Sequence, residues 1–326
     1  ASNLINQHLS VIPKEASEYL THFSAKYSSG DVLKWMEQSS TLKMLVIGET
    51  IIDEYQYCDT LGKTGKEPVL AARAGEIEKF AGGIVAIGNH ASKFSDNVSV
   101  LSFLGGVDSQ EEFIREKLDS NIDGTFIFMG GDAPTIVKRR FVERYPFRTI
   151  FELYIMDNHE NRPIESKALC DKLLEELPKY DVVIVADYGH GMLGPDEVEI
   201  LCSHARFLAI NTQVNADNRG FNNVSKYRRA DFISVSENEI RLEVRDRRKD
   251  LREIVKDVSE KLSCDKIIIT RGASGCLSYG REEGLFEIPA LATQVVDRVG
   301  AGDAVFSVTS LCVAQGAPME VVGVIA

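Results

Sequence analysis

The stretch "VVDRVGAGDAVFSV" (Val295–Val308) runs from an apolar, strand-like piece through Gly300-Ala301-Gly302-Asp303 into an apolar run with helical character. A helix start leaves backbone N–H groups unpaired and pointing outward, and the helix dipole adds partial positive charge there. Glycines let an oxyanion approach that backbone closely, so the segment suits a phosphate whose charge must be held during transfer. Asp303 falls in the first helical turn beside this anion hole, where a carboxylate can accept the proton of an attacking hydroxyl. Phosphoryl transfer asks for little beyond positioning, charge neutralisation and a base. On local physics alone, a plain glycine turn with an acidic helix start fits equally well.

The strand-then-helix rhythm fills most of the chain. Short apolar runs stand at 43–49, 98–105, 181–187, 206–211, 231–236 and 266–270, with amphipathic helical stretches at 109–119, 166–177, 195–205 and 251–262. Continuous apolar strands alternating with helices predict an α/β fold with a doubly wound, mainly parallel sheet covered on both faces. Two segments break the rhythm: residues 54–75 are polar and turn-rich, and 125–157 alternate like strands with no helix between. Together they predict a small β-sheet lid. Asp108 is expected to cap the helix after it, with Glu111 completing a capping box. Residues 1–40 carry helical patterns, with Asp31 as a cap and Leu20, Phe23 and Tyr27 on one stripe, and read as an extension or linker ahead of a domain over 41–326. The first residue is Ala, and "EVVGVIA" breaks off inside a helical pattern, so a longer gene product is expected.

The chain has 326 residues and a formal net charge of −12, with no long Lys/Arg block, which argues against a nucleic-acid-binding face. Six scattered cysteines without a C-x-x-C pair predict reduced thiols and a cytoplasmic setting rather than disulfides or zinc. No apolar run approaches the roughly 20 residues of a membrane span. "GKT" at 62–64 lacks the glycine a P-loop needs at Tyr57, and a dinucleotide G-x-G-x-x-G fails at Val305.

"VVDRVGAGDAVF" resembles the C-terminal signature of the ribokinase-like (PfkB) carbohydrate kinases, D-T-x-G-A-G-D, with Arg298 in place of Thr. Companion segments stand in the family's order: "VIGETIIDEYQYCDT" (46–60), "AGGIVAIGNHASKF" (81–94), "DVVIVADYGHGML" (181–193) and "IIITRGASG" (267–275). They are most similar to the heptose-phosphate kinase branch, whose modules are often fused to a nucleotidyltransferase, and the resemblance covers roughly 43–326. It implies a ribokinase-like fold and ATP-dependent phosphorylation of a sugar or sugar phosphate. Asp303 would be the base and Gly300, Ala301 and Gly302 the anion hole. It points to Asp53, Gly82, Gly83, Asn89, Lys138, Arg140 and Asp187 for the sugar, with Tyr188 beside it. Ser236, Glu239, Thr270, Arg271, Gly272 and Gly275 fall on the ATP side, and Glu239 is also the link to Mg²⁺. A homodimer through the lids belongs to the same implication. A monovalent cation is a further expectation, and Asp297 fits either a cation ligand or an anchor of the turn.

The chain also departs from the pattern. The helix-opening Asn that touches sugar in the family aligns with Val85. The N-x-x-E motif reads Ser236-Glu237-Asn238-Glu239. D-P-K reads Asn211-Thr212-Gln213, which removes a lysine able to steady a phosphate. His190 replaces the Lys of D-Y-G-K-G. Lys138, Arg139, Arg140, Arg144 and Arg148 suit a phosphate clamp as well as a solvated lid face; in a strand, 138 and 140 face one side and 139 the other. Two other readings stay open: a non-catalytic sugar or nucleotide sensor on a kinase fold, and a kinase for another sugar or a nucleoside.

Overall fold

The computed structural model describes residues 13–157, 162–292 and 300–326. At its centre is a nine-stranded sheet. In chain order its strands are β1 (Met44–Gly48), β4 (Val98–Leu104), β5 (Ile122–Phe128), β8 (Val182–Asp187), β9 (Leu208–Thr212), β10 (Phe232–Ser236), β11 (Lys266–Thr270), β12 (Cys276–Gly280) and β13 (Gly284–Ile288). Their spatial order is β13-β12-β11-β10-β9-β8-β1-β4-β5. The pairs from β11 through to β5 are parallel, and β12 and β13 close one edge in antiparallel fashion.

Parallel strands buried on both faces must be apolar on both, and β1 reads Met-Leu-Val-Ile with every side chain buried. Leu45 and Ile47 enter the core on one face with helices α5 (Pro163–Glu176), α6 (Pro195–His204), α7 (Glu237–Val244) and α8 (Leu251–Lys261). Met44 and Val46 enter the opposite core with α3 (Ile84–Ala91), α4 (Glu111–Lys117), α9 (Ala301–Ala314) and α10 (Met319–Ile325). Helices α1 (Lys14–Ser24) and α2 (Ser29–Glu37) pack on this second face. Gln315 Nε2 donates to the Trp35 carbonyl at 2.9 Å, and Lys26 pairs with Glu320 at 3.0 Å.

Four strands form a second sheet in the order β3-β2-β6-β7: β2 (Thr50–Lys63), β3 (Leu70–Gly83), β6 (Ile136–Glu143) and β7 (Arg148–Ile155). Its limits differ from the expected segments. The sheet takes in residues 50–83, and 125–128 belong to edge strand β5 of the main sheet, because β5 pairs with β4 in parallel register. Asp108 does not cap α4. It sits at φ 43°, and the N-cap is Gln110 in the left-handed region. Asp31 lies inside α2 as the third residue of a capping box whose N-cap is Ser28. "GKT" lies at the end of β2, outside any strand-to-helix turn. All six cysteines are free thiols. Among the described residues, no helix is long and apolar enough to cross a membrane.

Candidate active site

The chain leaves β1 toward β4 on one side of the sheet, and returns to β8 on the other. Such a switch point opens a crevice at the carboxyl ends of the strands. Glu49, directly after β1, is buried there and braces the turn after β8: its carboxylate accepts from Tyr188 N–H at 3.0 Å and His190 N–H at 2.9 Å. Burial, with Asp187 close by, pushes the Glu49 carboxyl up.

Helix α9 starts at this crevice. Gly300 is its N-cap at φ 77°, a left-handed conformation that glycine adopts without strain, and a Cβ on Gly300 or Gly302 would meet open space. Asp303 stands in the first turn. Tyr188 Oη and Gln213 Nε2 both donate to its Oδ1, at 3.1 and 3.0 Å. Burial pushes the Asp303 carboxyl from 3.8 up to about 6; the hydrogen bond from Tyr188 works against this and Asp53 adds to it. A carboxylate tuned there is ionised near neutral pH yet basic enough to take a proton.

The second sheet roofs the crevice. Alternation puts Asp53, Tyr55, Lys138, Arg140 and Tyr154 in register on one face, with Arg139 on the other, as expected for the basic segment. Asp53, Gly82, Ala86, His90, Gly300 and Asp303 line a cavity of about 390 Å³. Asp53 is ion-paired with Arg140, which also pairs with Glu152 at 3.1 Å. Gly82 lies directly beneath this pair, and a Cβ there would push the Asp53 carboxylate aside. Gly83 is the N-cap of α3. Lys138 is only 9% exposed and lies 5.3 Å from the Tyr154 ring and 5.9 Å from the Tyr188 ring; burial pushes its ammonium below the ordinary value.

On the far side, Ser236 and Glu239 form the capping box of α7. Ser236 N–H donates to Glu239 Oε2 at 2.7 Å, and Val214 N–H to Oε1 at 3.3 Å. Burial pushes Glu239 up. Thr270, Gly272 and Gly275, at the end of β11 and the turn after it, line a hollow of about 340 Å³ floored by Ile288 and closed by α10. Arg271 donates to the Ser274 carbonyl, and its buried Nε has no described partner.

Residues 41–323 match the profile of the pfkB family carbohydrate kinases. The chain belongs to that family. This kinase is 28% identical over 284 residues to the bifunctional protein HldE of Chromohalobacter salexigens, covering 84% of the chain and 56% of the relative. It is 26% identical over 294 residues to that of Actinobacillus pleuropneumoniae, covering 89% and 59%. It therefore spans little more than half the length of these relatives. The fold is also that of Thermotoga maritima ribokinase (TM-score 0.65, 18% identity, 86% and 89% covered) and of Escherichia coli phosphofructokinase-2 (0.68, 14%, 88% and 91%).

Two sugar-side expectations need correction. Asn89 lies away from the cleft and fastens α3 to the turn after α4: its Nδ2 donates to the Lys117 carbonyl at 2.7 Å and its Oδ1 accepts from Asp119 N–H at 3.0 Å. Asp187 is buried, with its oxygens taken by Tyr227 Oη at 2.7 Å, Gly189 N–H and the Lys226 ammonium. Val85, where the family's sugar-touching Asn aligns, is wholly inside the core, and Ala86 and His90 of that helix line the cavity instead. Among the outer lid arginines, Arg139, Arg144 and Arg148 pair with Glu54, Glu76 and Glu143. Asp297 and Arg298 lie outside the described residues. Glu49 escaped the sequence reading, although a carboxylate directly after the first buried strand was its signal.

Proposed function

We propose that this kinase transfers the γ-phosphoryl group of ATP to a hydroxyl of a phosphorylated sugar of the heptose-phosphate kind. Asp303 acts as general base, and the N–H groups of residues 300–302 hold the developing charge. One observation carries the reading: a half-buried carboxylate in the first turn of a helix, raised to about 6, with both side-chain donors on one oxygen. No described residue bonds Oδ2, which is left to accept the hydroxyl proton. The backbone amides beside it suit the transferring group.

The hollow around Thr270, Gly272 and Gly275 suits the nucleotide, and Asp53, Gly82, Lys138 and Arg140 suit the sugar. Among the described residues no group of three His, Cys, Asp or Glu gathers for a metal ion. Glu239, the donor that the resemblance implies, already accepts two backbone N–H bonds. That fits Mg²⁺ held mainly by water and nucleotide phosphates, with Glu239 touching its water shell. When bound, the ion would neutralise charge on the phosphates.

The partner calls belong to the same proposal. That the relatives are bifunctional proteins supports the expected nucleotidyltransferase module in the same protein. The outward face of the lid supports a homodimer.

ADP release measured over paired sugars and sugar phosphates tests the reading. Asp303→Asn is expected to lower turnover by roughly 10²–10⁴-fold, the span of general-base contributions, with ATP binding retained. Wild-type turnover in that variant refutes the base; nucleotide binding by the wild type without turnover on any acceptor points to a sensor.

A further inference from the structure

A groove of about 900 Å³ runs between lid strand β7, the loop after β9 and the end of α7. Arg219, Arg245 and Arg247 line it, and their guanidinium groups make no hydrogen bond or ion pair to any described residue. By contrast, Arg139, Arg140, Arg144 and Arg148 of the lid each pair with a carboxylate. The neighbouring acids are largely engaged. Glu152 pairs with Arg140, and Asp246 accepts from the N–H groups of Arg248 and Lys249; only Asp217, on the same loop, has no described side-chain partner. Arg241, also in the lining, is held by Glu237 and the Lys249 carbonyl. In a chain of net charge −12, three unpaired guanidiniums around one concavity form a local anion site. Guanidinium forks match phosphate oxygens.

The groove reaches the reaction centre within one residue. Val214 lines it, and its neighbour Gln213 donates to Asp303. Asn215 lines it and donates to the Tyr188 carbonyl at 2.8 Å, while Tyr154 faces Lys138, which in turn faces Tyr188. It shares no lining residue with the hollow around Thr270. Gln213 stands where a phosphate-steadying lysine was expected, so the positive charge missing at that position returns on the groove wall.

We propose that Arg219, Arg245 and Arg247 seat the phosphate of a phosphorylated acceptor whose hydroxyl lies at Asp303, which rests on the reading of Asp303 as base. Calorimetric titration tests it, using mannose and mannose 6-phosphate, fructose and fructose 6-phosphate, a heptose and its 7-phosphate, and ADP as the donor-side control. The wild type is expected to bind at least one phosphorylated member about tenfold or more tightly than its parent sugar. Arg219→Ala/Arg245→Ala/Arg247→Ala is expected to lose that preference with ADP affinity unchanged. Arg219→Glu alone, on an exposed loop, is expected to weaken it in the same direction should the triple variant fail to fold. Asp303→Asn is expected to keep the preference, so a failed base and a failed groove give different results. The proposal is overturned if the wild type prefers no phosphorylated member, if the preference survives the substitutions, or if ADP affinity falls with it, which would assign the groove to the nucleotide.

Discussion

At the residue scale, the two oxygens of Asp303 have different work. Oδ1 accepts from both Tyr188 and Gln213, which fixes the rotamer and leaves Oδ2 toward the cleft. The carboxyl must be ionised to act as base. With its pKa raised to about 6, kcat/KM for the acceptor is expected to rise with pH through about 6, level off above, and fall about tenfold per unit below. The Tyr188 hydrogen bond favours the charged form, so Tyr188→Phe is expected to move this limb to higher pH. A pH–rate series on both proteins checks it; an unmoved midpoint removes Tyr188 from the tuning of Asp303. The identity of Asp303 was readable in "GAGD". Its tuning was not, since Tyr188 and Gln213 stand 115 and 90 positions away along the chain.

At the element scale, α7 starts on Ser236 and Glu239, a pair with two readings: a capping box, and a remnant of a motif tied to Mg²⁺ and phosphate. The hydrogen bonds are those of the box. Gln can close the box through its one amide oxygen, but its NH2 cannot accept the second backbone N–H, so Glu239→Gln is expected to cost about 1–3 kcal/mol of stability. If Glu239 also serves the metal's water shell, the same variant raises the KM for Mg-ATP several-fold. Thermal melts and ATP titrations of one variant separate the two roles, and an unchanged KM leaves Glu239 as a cap alone. The parallel strands were legible because burial on both faces writes continuous apolar runs: 181–187 and 266–270 correspond closely to β8 and β11. The lid hairpin was misjudged because β3 is exposed along nearly its whole length, so no buried face imprints a period on residues 70–80.

At the scale of the whole molecule, the lid has two unlike faces. The cleft side carries Asp53, Lys138 and Arg140. The outer side presents Ile77 and Phe151, 45% and 53% exposed, together with Leu153 and a Phe141–Phe151 stack at 4.3 Å. An exposed apolar sheet face of this kind is one that a second copy can cover, and we propose that two lids meet there. Phe151→Glu is expected to convert a dimer to a monomer in light scattering. A monomeric wild type, or a variant that stays dimeric, counts against the lid interface.

By itself the sequence determined the alternation of strand and helix, the family, and the glycine turn that opens α9 at Gly300. These are local properties of backbone and burial, and they repeat as pattern. Only the tertiary structure decided which polar residues meet. It drew Asn89 and Asp187 into structural bonds, aimed Ala86 rather than Val85 at the cleft, and brought Gln213 and Tyr188 onto one oxygen of Asp303. Side-chain direction and long-range pairing follow from how helices and lid pack across the switch point, and a single residue's identity does not carry that information.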